Sequence, residues 1–326
     1  MAETSTWRSL LGTIISDQQE KQRLAAAIGI SPFTLTRWVT GESSPRRESL
    51  YRLVKACPPE YASLLSSLIA REWEGFSLTD AAADQRTVET VPAEVYADVL
   101  AIRATSSRHT RFWSISQQLV PAMLEQLDPY YVGVGVTILV CTRPAEGQPV
   151  RSLRVVGGDG TPPLKQKTSG TVVYLVGLES LAGYAVTQNR LLCLQHMDDG
   201  RLPSLKIAGV ESAVACPVKE EGRIAGCLSV VSMHPGSFFQ PQLSLIESYA
   251  NLVALAFTEE QFYEVERIHL GMLPDPQTQY RCFSNFQERV IWLMNEAARN
   301  EQSLNVTEAE QMVWQQLEEE LLHMAL

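Results

Sequence analysis

The sequence predicts an α+β multidomain protein: an N-terminal all-α domain, a central antiparallel sheet flanked by helices, and further helices at the C-terminal end. Three observations predict this class. Residues 1–75 space apolar side chains three and four apart between Gly and Pro breakers. The centre contains β-branched runs, such as YYVGVGVTILVC and RIAGCLSVVSM, between helical patterns. From residue 274 onward the helical spacing returns.

Composition narrows the class of protein. The 326 residues are enough for two or three domains, and 45% apolar with 20% charged residues is typical of a globular chain. No apolar run reaches the roughly 18 residues of a membrane span, and the N-terminus lacks the pattern of a secretory signal. Six cysteines without CxxC spacing favour a reducing cytoplasm over disulfides or a zinc site. We therefore expect a cytoplasmic protein.

The pattern divides the chain into four segments. Residues 1–75 form the N-terminal domain, residues 76–92 an Ala/Asp/Thr-rich linker, residues 93–262 the central domain, and residues 263–326 a C-terminal helical segment. Five short helices are predicted in the first segment, at Trp7–Ile15, Glu20–Ile28, Ser31–Val39, Glu48–Cys57 and Glu60–Trp73.

Charge is distributed unevenly along the chain. Residues 1–57 hold eight Lys/Arg and five Asp/Glu, a net charge of +3, so the whole-chain charge of −10 leaves −13 for the remainder. A small basic domain on an acidic body is typical of a protein that faces DNA with one part only.

The stretch LAAAIGISPFTLTRWVTGESSP has the features of a helix-turn-helix. Gly29 suits a turn with positive φ, Ser31 suits a helix N-cap, and Pro32 suits the first helical position. Leu35 and Trp38 are expected to face the core, which leaves Thr34, Thr36 and Arg37 facing outward. The second helix of such a motif enters the DNA major groove by its N-terminal end.

Residues 22–55 resemble the helix-turn-helix of the XRE-like, phage-repressor family of bacterial regulators. The resemblance implies contacts between double-stranded DNA and the set Lys21, Ser31, Pro32, Phe33, Thr34, Thr36, Arg37, Thr40, Arg46 and Arg47. It places Lys21 at a phosphate and Arg37 at a base edge. Pro32 and Phe33 depart from the polar residues usual in that family, so they are expected to contact thymine methyl groups.

The central segment carries a second resemblance. GVESAVACPVKEEGRIAGCLSVVSMHPGSFFQPQLSLIESYANLVALAF is similar to the final hairpin and helix of a GAF domain, a small-molecule-binding α+β module of bacterial signalling proteins. The resemblance implies a GAF-like antiparallel sheet flanked by helices, with a ligand pocket on one face. Candidate ligand-binding residues are Trp113, Tyr174, Tyr184, Thr187, Cys193 and His196.

Several chemistries known in that family do not fit these residues. A covalently attached bilin needs a Cys followed directly by a His, whereas Cys193 and His196 are three residues apart. Gln240 and Gln242 stand where a cyclic-nucleotide site has acids. The stretches SLAGYAV and KIAGVES lack the cysteines of a methionine-sulfoxide reductase. The cofactor is therefore unknown, and we expect no enzymatic activity and no metal site.

Two cysteines could form a redox pair. A turn centred on Glu221-Gly222 would set Cys216 directly opposite Cys227 across the hairpin, within reach of a disulfide. The alternative is that both are buried as small apolar residues, where free cysteines usually lie.

Together the patterns predict a homodimeric, sequence-specific transcription regulator. Its GAF-like body would sense a signal or dimerise, and its acidic C-terminal helices could contact a protein partner. One alternative is a recruitment module localised to DNA. Another is a GAF-type enzyme acting on a small molecule.

Overall fold

The computed structural model describes residues 6–45, 47–72, 90–129, 132–162, 164, 175–197 and 209–325. The predicted linker at residues 76–92 lies mostly outside these ranges. The fold consists of a helical N-terminal part, a central sheet with helices on both faces, and a helical C-terminal part.

The N-terminal part, which we call the head (residues 6–72), contains five helices. They are α1 (Trp7–Ile14), α2 (Gln18–Ile28), α3 (Pro32–Thr40), α4 (Arg47–Ala56) and α5 (Pro59–Glu72), and each begins and ends within two residues of the predicted bounds. Their apolar stripes meet in one core that includes Trp7, Leu24, Leu35, Leu50 and Leu65, all fully buried.

The central part begins with the antiparallel helices α6 (Ala93–Thr105) and α7 (Arg108–Leu127). Its strands are β1 (Val134–Cys141), β2 (Leu153–Gly160), β3 (Leu175–Val176), β4 (Leu192–Leu194), β5 (Ser212–Glu220) and β6 (Arg223–Ser232). Helix α8 (Leu181–Thr187) precedes β4, and α9 (Gln240–Ala254) follows β6. The six strands form one antiparallel sheet in the order β3-β2-β1-β6-β5-β4, which confirms the predicted α+β architecture.

The sheet has two covered faces because its strands are apolar on both sides. On the first face, Val136, Ile138 and Leu228 pack with residues of α7 and α9. On the second face, Leu139 and Cys227 pack with residues of α8. Because both faces are covered, the sequences of β5 and β6 are nearly continuous apolar runs and do not alternate apolar with polar residues.

The C-terminal part is attached to the second face and to the β3 edge. Short 3-10 helices at Glu259–Gln261 and Val265–Arg267 lead into α10 (Pro276–Phe283), α11 (Phe286–Arg299) and α12 (Val306–Met324). Two backbone hydrogen bonds tie residues 267–271 to the sheet. The amide of Val150, just before β2, donates to the carbonyl of Arg267, and the amide of Leu178, just after β3, donates to the carbonyl of Gly271, both at 2.9 Å. Ile268 and Leu270 join the second-face core. Among the helices that the structure describes, none is both long enough and apolar enough to cross a bilayer.

Candidate functional site

The turn between α2 and α3 is closed by backbone geometry that the sequence specifies. Gly29 ends α2 in the left-handed region, at φ 77°, and its amide donates to the carbonyl of Ala26 at 3.2 Å. The hydroxyl of Ser31 then accepts from the amide of Thr34 at 3.2 Å, and Pro32 occupies the first turn of α3. The helix stops at Gly41, also at φ 77°, so α3 is nine residues long with a defined start.

This geometry separates an anchored face of α3 from an exposed one. Leu35 and Trp38 lie in the head core, as predicted. On the outer side, Pro32 and Arg37 are exposed and Phe33 is 68% exposed, which is unusual for a large apolar side chain. Arg52 of α4 donates to the carbonyl of Ile28 at 2.9 Å, and this contact ties α4 to the end of α2. The exposed first turn of α3 therefore projects from a helix whose inner side is anchored in the head core.

The polar groups on and around α3 are satisfied locally or remain available. Thr36 and Thr40 each donate to a carbonyl of their own helix, while the hydroxyls of Ser31 and Thr34 lie 2.9 Å apart. Arg37 lies 3.7 Å from Glu42, with both side chains about half exposed. Such a surface ion pair contributes little to the free energy of folding, so the Arg37 guanidinium can exchange Glu42 for another partner.

Three further basic residues of the predicted DNA-binding set lie outside α3. Lys21, in the first turns of α2, is half-buried. Arg46 falls outside the described residues, and of Arg47 only the backbone is described, at the start of α4.

The structure does not bring the predicted ligand-binding residues together. Trp113 is 58% exposed on α7, which packs on the first face, and Cys193 also contacts the first-face core. Tyr184 and Thr187 are exposed on α8, which packs on the second face. His196 is exposed just after β4, and Tyr174 lies outside the described residues. The sheet therefore lies between Trp113 on one side and Tyr184 and Thr187 on the other.

The predicted opposition of Cys216 and Cys227 is wrong. A register shift between Val218 and Lys219 pairs Cys216 with Leu228 and Pro217 with Cys227. Because side chains alternate along a strand, this one-residue shift puts the two thiols on opposite faces of the sheet. Burial raises the pKa of Cys216 to about 12 and that of Cys227 well above its usual range, so neither thiol is activated for oxidation.

A polar cluster that the sequence does not predict anchors the C-terminal part. Glu318 of α12 is buried, and its Oε1 accepts from the hydroxyls of Ser152 and of Thr142, the latter at 2.8 Å. Burial raises the pKa of the Glu318 carboxyl despite these bonds. The only sequence signal is its position beside Leu317 and before Leu321, on the inward stripe of an otherwise acidic helix.

A second anchor of this kind holds the edge of the sheet. The side-chain amide of Gln279 accepts from the amide of Leu175 at 3.0 Å and donates to its carbonyl at 2.8 Å. Gln279 thereby bonds the backbone groups of Leu175 that a further strand would otherwise pair with at the β3 edge. Within the described residues, no cluster of three or more His, Cys, Asp or Glu could hold a metal ion.

Three solved structures show what this chain is similar to. A type II free methionine-R-sulfoxide reductase from Thermoplasma acidophilum is 19% identical, with a TM-score of 0.36, and the match covers 47% of this chain and 99% of that chain. The free methionine-R-sulfoxide reductase from Neisseria meningitidis is 15% identical, with a TM-score of 0.36, over 50% of this chain and 87% of that one. The GAF domain of the Acinetobacter phosphoenolpyruvate-protein phosphotransferase is 16% identical, with a TM-score of 0.35, over 50% and 89%.

The curated proteins give no match to this chain. The model of the GAF-domain family, by contrast, matches residues 85–257. These residues contain α6 through α9 and the whole six-stranded sheet. Since the match spans more than half of the 326 residues, the chain belongs to the GAF-domain family and carries a sensor, ligand-binding or dimerisation module at its centre.

Proposed function

We propose that this protein is a cytoplasmic, homodimeric transcription regulator that binds a specific DNA sequence with its head and senses a signal, or dimerises, with its GAF domain. The observation that carries the proposal is the outer side of α3, where Phe33 in the first turn and Arg37 in the last turn are exposed on a helix anchored by Leu35 and Trp38. That arrangement is what a groove-reading helix requires.

The proposed DNA contacts follow from the chemistry of each side chain. Arg37 can donate two hydrogen bonds to the O6 and N7 atoms of guanine, once it leaves Glu42. Pro32 and Phe33 offer apolar surface to the methyl groups of thymine, and Lys21 can hold a phosphate. The net charge of +3 on residues 1–57 attracts the duplex, whereas the acidic remainder keeps the rest of the surface away from it.

One head reads only a few base pairs, so useful affinity requires two heads on paired half-sites. The GAF domain would supply the pairing. A small molecule would regulate the protein only if it bound two arrangements of that pair with different affinities, since a ligand cannot shift an equilibrium by more than its differential affinity.

Catalysis is not part of the proposal. The stretches SLAGYAV and KIAGVES contain no cysteine, so they lack the thiols on which methionine-sulfoxide reduction depends. The thiols of Cys141, Cys216 and Cys227 are buried, and burial raises the pKa of each.

Selection from a pool of random duplexes with the purified full chain tests the proposal. We expect enrichment of a motif with two related half-sites about 10–11 base pairs apart, or a multiple of this spacing. A chain that enriches no motif at low salt, and instead captures a protein through α12, would favour the recruitment alternative and overturn this one.

A further inference from the structure

The C-terminal part exposes an unusual share of the large apolar side chains. Of the fourteen that are exposed among the described residues, seven lie between residues 272 and 324. Two of the seven, Ile291 and Trp292 of α11, are neighbours in sequence and are 59% and 60% exposed. Tryptophan is on average a well-buried residue, and at protein interfaces it often contributes most of the binding energy. The surface of α11 around this pair is therefore a candidate docking surface.

The packing of α11 does not require this pair. The inner side of the helix is anchored by buried Val290 and half-buried Leu293 and Met294, in a core shared with α12. Ile291 and Trp292 lie on the outer side, where a surface helix normally carries charged residues, and Ala, Glu or Lys would form helix more readily. Their presence is explained if another molecule covers them.

Two carboxylates bracket the apolar pair. Glu288 lies one turn before Trp292 and Glu296 one turn after it, and both are exposed. Neither carboxylate forms an ion pair within the part of the chain that the structure describes; nearby Arg289 is engaged by Glu320 of α12 at 2.6 Å. We call the exposed residues Glu288, Ile291, Trp292, Asn295 and Glu296 the α11 outer face. It combines an apolar centre with negative charge on either side.

These charges determine which class of partner fits. Two copies paired antiparallel about Trp292 would set Glu288 of each against Glu296 of the other, and a parallel pair would set each carboxylate against itself. DNA and anionic lipid are repelled, because residues 274–326 hold nine Asp/Glu and three Arg. Glu288 and Glu296 are about 12 Å apart along the helix axis, which is also the distance between basic residues two turns apart on a partner helix. A basic amphipathic helix is therefore complementary to this face.

We propose that the α11 outer face binds an amphipathic helix of another protein. The apolar stripe of that helix covers Ile291 and Trp292, and its Lys or Arg residues pair with Glu288 and Glu296. The face lies beyond residues 85–257, which match the GAF-domain family, so it belongs to the C-terminal part of this chain. Partner binding of this kind goes beyond the proposed recognition of DNA and does not depend on it.

Fluorine NMR of the full chain labelled with 5-fluorotryptophan tests the proposal at Trp292. The probe is a synthetic helical peptide of about 18 residues, made of a leucine stripe bracketed by lysines; the comparison peptide has glutamate in place of lysine. Trp292→Phe identifies the resonance of Trp292. We expect the Leu/Lys peptide at tens of micromolar to shift this resonance and the Leu/Glu peptide to leave it in place. A Trp292 resonance that the Leu/Lys peptide does not shift would overturn the inference.

Fluorescence anisotropy of the labelled Leu/Lys peptide measures what the apolar pair contributes. Ile291→Ser/Trp292→Ser should weaken binding at least about 30-fold, as the loss of a central interface tryptophan does. Leu100→Ser/Trp113→Ser is the matched control, because Leu100 and Trp113 are 57% and 58% exposed in the central part, and it should bind like the wild type. Equal losses in the two double variants would contradict a site on α11.

Charge reversal separates this site from the general acidity of the chain. Glu288→Lys/Glu296→Lys should weaken binding of the Leu/Lys peptide at least about 10-fold and should strengthen binding of the Leu/Glu peptide. Glu266→Lys/Glu301→Lys makes the same change in net charge at two other exposed positions and should alter neither affinity. If both double variants behave alike, only the overall charge attracts the peptide and the inference fails.

Two measurements distinguish the other occupants. Ile291→Ser/Trp292→Ser should sediment with the same oligomeric state as the wild type, and vesicles of phosphatidylglycerol should leave the Trp292 resonance in place. A variant that loses a wild-type dimer would assign the face to a second copy, and a shift with vesicles would assign it to a membrane; either result would overturn the inference. A chain that binds the peptide through α11 but selects no DNA keeps this inference and removes the regulator.

Discussion

Arg37 is the side chain on which sequence discrimination depends in the proposed interface. In the free head, the Nε of Arg37 lies 3.7 Å from the Oε2 of Glu42. Because both side chains are at the surface, Arg37 can easily exchange this partner for a base. We expect Arg37→Ala to weaken binding to the selected duplex about 5- to 150-fold, equivalent to about 1–3 kcal/mol, and to relax specificity at one base pair.

Fluorescence anisotropy with the full chain measures this loss. Arg299→Ala removes the same charge from an exposed position on α11 and serves as the control. Equal losses for the two variants would mean that Arg37 contributes only charge.

Glu318 gives a second prediction at the level of one side chain. Its folded-state pKa is raised, so folding favours the protonated form. The stability that this preference contributes is fully present below the unfolded pKa and is lost as pH rises through the folded pKa. Glu318→Gln, which is neutral at every pH, should therefore gain stability relative to the wild type between about pH 4 and pH 7, by about 1.4 kcal/mol for each unit of pKa difference.

Urea denaturation of the full chain across that pH range gives the comparison. The neighbouring Glu319→Gln is the control, because Glu319 is about half exposed and pairs with Arg151 at the surface. A stability difference between Glu318→Gln and the wild type that does not change with pH would contradict the account of this anchor.

Among the elements, α3 depends on its N-cap. Ser31→Ala removes the acceptor for the amide of Thr34 and should destabilise the head by about 1 kcal/mol, whereas Ser31→Asn keeps an acceptor and should cost little. Hydrogen exchange of the α3 amides in the full chain measures the difference. If the α3 amides are equally protected from exchange in both variants, the cap does not determine where this helix begins.

The elements also show which parts of the fold local sequence can predict. Helices α2 and α3 were predictable because local residues mark their ends: Gly29 and Gly41 adopt positive φ, Pro32 suits the first helical turn, and Ser31 caps α3 by a hydrogen bond. The β5–β6 hairpin was predictable in position, but its register was not. The turn residues specify the pairing of Glu220 with Arg223, whereas the register shifts between Val218 and Lys219, where no local sequence signal marks a bulge.

On the scale of the whole molecule, the sequence predicts the three parts of the chain and their order. It does not predict how the C-terminal part attaches, because Glu318 and Gln279 act through contacts with residues more than 100 positions away. The described ligand-binding candidates are separated for the same reason: Trp113 on α7 and Tyr184 on α8 lie on helices that cover opposite faces of the sheet. Long-range pairing, rather than local preference, decides which side chains meet.

Photo-cross-linking is the measurement that tests the central claim most directly. The full chain is bound to its selected duplex, in which 5-iodouracil replaces each thymine in turn, and the cross-linked peptides are identified after irradiation. We predict that the cross-links fall on the peptide containing Ser31–Thr40, with Phe33 as the principal site. Cross-links confined to the central or C-terminal parts, with α3 unmodified, would contradict the claim that the exposed turn of α3 reads DNA.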